Sequence, residues 1–327
     1  MNKLCTFEET AAYIESGERL LLAGDETVLR HLPLGQWIGG TTPYFIGNKG
    51  GIVTREKVLV SSLPRTVTAI TTRLYDEQQI RNIAAEGPDH GFTFLIIPAF
   101  SSLLQGFSKN VRDYPGIFNR PLMGWVSGVA PDDPALIQPY VVDGRTGEWS
   151  SERAVALHGT LENRVVAEIG IVNPFTQGAG DVITVDKAGF TFGHAYVNGV
   201  LVNLARYLKE QNIDMKLPLV ADYLGAMVNV SIRSVDPERG HSVFYAPLFP
   251  DIEYKIAIPV DDYENVFAKT MKNVGTDPMV AVSCILNYVH GHLDWQQFGS
   301  IHGPISFGEI AYGLLNQTLV YMVLRRT

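Results

Sequence analysis

The chain has 327 residues, more than one hydrophobic core usually serves, so length alone predicts two domains. Apolar residues make up 46% and charged residues 18%, which excludes wholesale disorder. A formal charge of −8 argues against a nucleic-acid or anionic-membrane surface, and no apolar run reaches the roughly twenty residues of a membrane-spanning helix.

The start, MNKLCTFEET, has no apolar stretch, so neither signal peptide nor membrane anchor is expected. Two cysteines, Cys5 and Cys284, are too few for a disulfide framework, and reduced thiols in a cytoplasmic protein are expected. Thr6-Phe7-Glu8-Glu9 is a capping box and predicts a helix to about Ser16, stopped by Gly17. The runs Arg19–Gly24, Thr66–Leu74 and Phe92–Phe100 read as buried strands. The last leads into Ser101-Ser102 and a helix carrying Leu103, Leu104, Phe107 and Val111 on one face. From Arg153 onward the texture becomes strand-like, as RAVALHGTL, RVVAEIGIV and DVITVDKAG, and the gap Thr160–Arg164 is short enough for an antiparallel hairpin. Helical periods return at Leu201–Leu208, Tyr263–Met271 and Val282–Leu293. The last period opens on Thr276-Asp277-Pro278 and carries Cys284 on one face with Ala281 and Tyr288. Gln317–Leu324 closes the pattern as a strand. The expected class is α/β with α+β character: two layered domains with mixed or antiparallel sheets flanked by helices, divided at Ala188-Gly189 into 1–188 and 189–327.

His290-Gly291-His292-Leu293-Asp294 has the His-x-His-x-Asp spacing of a zinc motif, but Trp295 stands where a further histidine belongs. Residues two apart on a helix diverge by about 200° and cannot share a metal. Gly291 reads as a helix-ending glycine, and no metal is expected. Cys284, inside an apolar period, reads as core, with a thiol nucleophile as the alternative. Eight histidines carry no spacing signature; a lone haem-ligating histidine would leave none, so the cofactor stays open. No Gly-x-Ser-x-Gly elbow or nucleophile–base pair is evident, so no catalytic residue is assigned.

Gly303–Ile310, followed by Asn316-Gln317-Thr318, is the most informative segment. Its glycines flank Ser306, with Glu309 directly after the second, and Asn316 and Thr318 stand at the entrance to the closing strand. A buried carboxylate there needs partners that amide and hydroxyl side chains supply. Such a set suits an ammonium, with Glu309 pairing the cation while Asn316 and Thr318 orient the polar end. Backbone amides at Gly40, Thr41 and Thr42 are the candidates for the ligand's carboxylate. Ser306 completes the candidate ligand-binding set; the plainer reading has Glu309 tying its own loop together.

Ser306-Phe307-Gly308-Glu309-Ile310 and Asn316-Gln317-Thr318-Leu319 resemble the closing segment of the FIST family, sensory domains found beside bacterial signalling modules and in some F-box proteins. Ser283-Cys284 resembles that family's Ser-Cys pair, Asn198-Gly199 its Asn-Gly before a helix, and Ile38–Thr42 its Gly-x-x-Thr strand end. The chain departs from the family pattern at Ile285-Leu286-Asn287 and at Pro43-Tyr44, as a divergent stand-alone member would. The resemblance implies FIST N-like and C-like domains over 1–188 and 189–327. It also implies that the protein senses an amino-acid-like small molecule and signals through a separate protein partner. Family members that bind haem and respond to nitric oxide make a gas sensor the second reading, and a cysteine- or metal-dependent hydrolase is the third.

Overall fold

The computed structural model describes residues 1–47, 50–130, 138–223, 225–263, 265, 266, 269, 278–291 and 301–327. Strand outweighs helix, the sheets are mixed or antiparallel, and the class is α+β. Three six-stranded sheets enclose the main core. The first runs Asn2–Cys5, Val58–Ser62, Leu20–Gly24, Trp37–Thr41, Val141–Asp143, Glu148–Ser150. The second runs Gly313–Leu315, Glu309–Ala311, Leu122–Ser127, Gly91–Pro98, Ala154–Leu161, Val67–Tyr75. The third runs Val165–Val172, Leu319–Arg326, Val280–Cys284, Gly303–Ser306, Tyr44–Gly47, Gly50–Val53. Ile38 of the first, Trp125 and Leu157 of the second, and Val282 and Met322 of the third share one buried cluster. A second cluster packs the other face of the second sheet onto the Ser102–Asn110 helix through Ile97, Val126 and Phe107. Two further sheets and the Leu204–Glu210 helix form a separate cluster around Leu219, Phe244 and Tyr254.

Residue 188 does not separate the sheets. Glu309–Ala311 pairs with Leu122–Ser127, Gly303–Ser306 with Tyr44–Gly47, and Leu319–Arg326 with Val165–Val172. The last twenty-odd residues therefore supply strands to sheets begun more than a hundred residues earlier.

Local signals held where they were self-contained. Thr6 accepts from the Glu9 amide while Glu9 accepts from the Thr6 amide, and the helix runs Phe7–Glu15. Ser101 caps the Ser102–Asn110 helix through the Leu104 amide. Two expectations fail. Val280–Cys284 is a strand, parallel to Gly303–Ser306 and antiparallel to Leu319–Arg326, and the helix begins only at Ile285. A strand buried on both faces is apolar throughout, and so short a run fits a helical period equally well. The Thr160–Arg164 gap is not a hairpin either: Ala154–Leu161 and Val165–Val172 belong to different sheets, joined by a turn in which Arg164 takes φ 65°. Of the helical period at Tyr263–Met271, Phe267 and Met271 lie outside the described residues, as do Thr276, Asp277, His292, Asp294 and Trp295.

At Gly40 the first sheet packs directly against side chains of the second. A Cβ there would meet Ile96 Cγ2 at 2.7 Å and the Trp125 ring at 3.1 Å. Both neighbours are core side chains without room to withdraw. Gly40→Ala is expected to destabilise by about 1–3 kcal/mol, measurable by urea unfolding; an unchanged midpoint would show that the sheets can part without loss.

Candidate ligand site

Each of the three main sheets contains one parallel strand pair: Leu20–Gly24 with Trp37–Thr41, Gly91–Pro98 with Leu122–Ser127, and Val280–Cys284 with Gly303–Ser306. Their carboxyl ends are stitched together. The Gly128 amide donates to Thr41 O (2.7 Å), the Thr42 hydroxyl to Ile305 O (2.8 Å), and the Phe307 amide to Val126 O (3.1 Å). In open α/β sheets such ends are where ligands commonly bind.

Inside this junction lies a buried polar cluster centred on Glu309. Glu309 is the register partner of Trp125, so both face the core between the sheets, and Ser127, two residues beyond Trp125, shares that face. Glu309 Oε1 accepts from the Thr318 amide (3.0 Å) and the Thr318 hydroxyl (2.7 Å). The Cys284 thiol interacts with the same carboxyl. Asn287 donates to Thr318 O (2.7 Å) and Ser283 Oγ (3.2 Å) and accepts from the Tyr263 hydroxyl (2.5 Å). Glu309 is fully buried, and desolvation raises its pKa to about 8 despite the Thr318 bonds, so the carboxyl is mainly protonated at neutral pH. Burial, reinforced by Glu309, also pushes the Cys284 thiol well above its ordinary value.

The cluster is incompletely satisfied. Five buried side-chain atoms among the described residues lack a hydrogen-bond partner, and three of them belong to this junction: Ser127 Oγ, Glu309 Oε2 and Asn316 Oδ1. With the carboxyl protonated, Oε1 accepting from Thr318 leaves the proton on Glu309 Oε2, so Oε2 is an unmatched O–H and Asn316 Oδ1 an unmatched acceptor. Asn316 Nδ2 donates to Leu315 O (2.9 Å), which fixes the amide with its oxygen unmatched. Left dry, each such group costs about 1–3 kcal/mol.

Of the residues singled out from sequence, Ser306, Glu309, Asn316 and Thr318 fall in this region, all buried. Ser306 is occupied in its own loop, donating toward Gly308 O (2.8 Å) and Ser283 O (3.3 Å). The segment Gly40–Thr42 reaches the junction but not in the role expected of it. The Thr41 and Thr42 amides donate to Tyr140 O and Gly24 O, both at 2.9 Å, and Gly40 is a paired strand residue. Those amides are spent on the sheet and cannot take up a carboxylate. Outside them, between Asp25, Thr41, Thr42, Arg55 and Gly128, the cavity is about 10 Å³, room for one water. Ser127, Asn287 and Tyr263 carried no motif and were not singled out; a polar residue inside an apolar run, as Asn287 is, was the only available signal.

Cys284 ends a buried strand, and its thiol is held protonated, which is the opposite of an activated nucleophile. Cys284→Ala is expected to cost roughly 1 kcal/mol, and the native thiol should react with a labelling reagent far more slowly than the same chain in denaturant. Labelling at equal rates would mean that the junction opens freely.

One buried histidine lies outside the junction. Tyr75 donates to Glu86 Oε2 (2.7 Å), so His158 Nε2, 2.8 Å from the same phenol, must be the donor there. Nδ1 is left to accept from the Thr93 hydroxyl at 2.9 Å. Desolvation lowers the His158 pKa to about 4, and Arg73 pairs with Glu86 at the outer end of the chain of bonds. Both ring nitrogens are engaged, so this imidazole has no lone pair to offer an iron.

A family model described as a family of unknown function (DUF6976) matches residues 5–325, nearly the whole chain. The chain belongs to that family. A search of curated proteins returns no match. The match runs unbroken across residue 188, as the shared sheets do. Among the described residues of this DUF6976 chain, no helix is long and apolar enough to cross a membrane.

Proposed function

We propose that this protein binds a small molecule bearing an ammonium group, of the amino-acid-like kind the FIST resemblance implies, and passes the signal to a separate protein partner in the cytoplasm. The observation that carries the reading is the pair of buried oxygens without a partner, Glu309 Oε2 and Asn316 Oδ1, in one junction. Without a ligand Glu309 holds a proton. An ammonium brought against Oε2 does the same electrostatic work, so ligand entry expels that proton and the buried charge stays balanced. The ligand's carboxylate is not held by the 40–42 amides and would face elsewhere. The same reading keeps the two layered domains, 1–188 and 189–327, as interlocked halves, with no role for nucleic acid or membrane. Haem sensing and thiol or metal hydrolysis stand behind it, the hydrolase because a buried thiol with a raised pKa is poorly nucleophilic.

The test is calorimetry of the common amino acids and simple amines at pH 7 in two buffers of different ionisation enthalpy. Release of about one proton per ligand bound, and loss of binding in Glu309→Gln, are expected. A tight ligand that binds Glu309→Gln as well as wild type would make Glu309 a loop tie and remove the reading.

A further inference from the structure

A separate cavity of about 220 Å³ opens where the Ser102–Asn110 helix and the Glu309–Leu315 hairpin meet the strands Leu219–Tyr223 and Ala226–Val230. Its walls are mostly apolar, with Val111, Val230, Ala246 and Leu315 all buried. Arg112 and the phenols of Tyr223 and Tyr254 break that character on one side. The Arg112 guanidinium lies 3.7 Å from the centre of the Phe249 ring, a stacking contact that fixes it at the rim. Its acidic partner, Asp251, is 3.4 Å away, largely exposed, and outside the cavity lining. Tyr254 accepts the Phe249 amide (2.9 Å) and lies beside Tyr223. Tyr223 also stands in the cavity wall, its phenol the second polar group there able to meet an anion. Burial raises the pKa of both phenols and keeps them protonated, with Arg112 close enough to oppose part of that rise. Among the described residues no carboxylate lines the cavity. At the mouth, Tyr312 is held at φ 60° with its ring 5.7 Å from that of Phe118, which is exposed.

A cation and a phenolic donor beside an apolar chamber match an anion with an apolar body. At about 220 Å³ the chamber is on the scale of one substituted ring or a short branched chain. We infer that this cavity binds a small monocarboxylic acid, its carboxylate taken by Arg112 and Tyr223 and its ring or branched chain packed between Val111, Val230, Ala246 and Leu315. This site uses none of the groups invoked for the ammonium.

The probe is 4-methylbenzoate, followed by calorimetry and ligand-observed NMR at pH 7, with 4-methylbenzamide as its uncharged counterpart. Saturable binding of the acid is expected, with the amide at least tenfold weaker. Arg112→Gln should weaken the acid at least tenfold, Tyr223→Phe about threefold, and Glu309→Gln not at all. Val228→Phe, which fills the chamber without touching a charge, should abolish binding while leaving the unfolding midpoint close to wild type. Absence of saturable binding overturns the inference. So does equal binding of acid and amide, or equal binding by wild type and Arg112→Gln. Because Glu309→Gln is silent here and decisive for the amine, the two sites fail independently.

Discussion

Raising the pH from 5 to 8 will destabilise this protein, and Glu309→Gln will remove most of that loss. In the unfolded chain Glu309 ionises near the ordinary 4.5, whereas in the folded chain it holds its proton to about 8. Below 4.5 both states carry the proton and the group contributes no difference. Between 4.5 and 8 only the unfolded state gives it up, so stability falls as pH rises. The gap between 4.5 and 8 corresponds to about 5 kcal/mol. Glutamine keeps an acceptor for the Thr318 amide and hydroxyl and cannot ionise. Glu309→Gln should thus be near neutral at pH 5 and clearly stabilising at pH 8. Urea unfolding of both proteins across this range reads the difference directly and cancels the titration of every other group. A constant difference would mean that Glu309 is ionised in the folded state, hence already neutralised by a cation. An added amine ligand should flatten the wild-type slope for the same reason.

The opposite slope comes from His158. Its folded pKa is near 4 against 6.5 in the unfolded chain. Above 6.5 both states are neutral. As pH falls below 6.5 the unfolded imidazole takes a proton that the folded one refuses, and stability declines until about pH 4, by about 3 kcal/mol. His158→Gln should abolish this acid-side loss relative to wild type. At pH 7 it will cost stability through imperfect replacement of the bonds to Tyr75 and Thr93. If wild type and variant lose stability in parallel between pH 6.5 and 4, the imidazole is charged in the folded protein and the assigned tautomer is wrong. Between 4.5 and 6.5 the two linkages oppose one another, so these groups together predict a flat stretch there and a fall above it.

The elements legible in the sequence were those whose signals lie within one element. The Thr6–Glu9 capping box, the Ser101 cap and the runs around Leu20–Gly24 and Gly91–Pro98 depend on neighbours a few residues away. Val280–Cys284 was misread because periodicity carries no information when both faces of a strand are buried. The Thr160–Arg164 turn was misread because a short gap specifies a change of direction, not which sheet the chain enters next. The site divided in the same way. Ser306, Glu309, Asn316 and Thr318 lie within one hairpin and its exit, so their proximity could be read from order alone. Ser127 and Cys284 reach Glu309's surroundings through strand pairings, and Asn287 through the helix that follows Cys284. His158 was one histidine among eight until sheet register set it opposite Thr93, with the Tyr75 phenol reaching it from the neighbouring strand.

The late strands also constrain how the chain is made. A ribosome delivers Tyr44–Gly47, Leu122–Ser127 and Val165–Val172 long before their partners Gly303–Ser306, Glu309–Ala311 and Leu319–Arg326 exist. At roughly 5–20 residues per second, the nascent chain spends many seconds with three sheet edges open. Open edges of this kind recruit other strands, including those of neighbouring nascent chains on the same message. Synthesis rate and chaperone occupancy, more than the stability of the finished fold, should therefore set the yield of this protein when it is overexpressed, and slowing synthesis at low temperature should lower yield unless a holding chaperone is present.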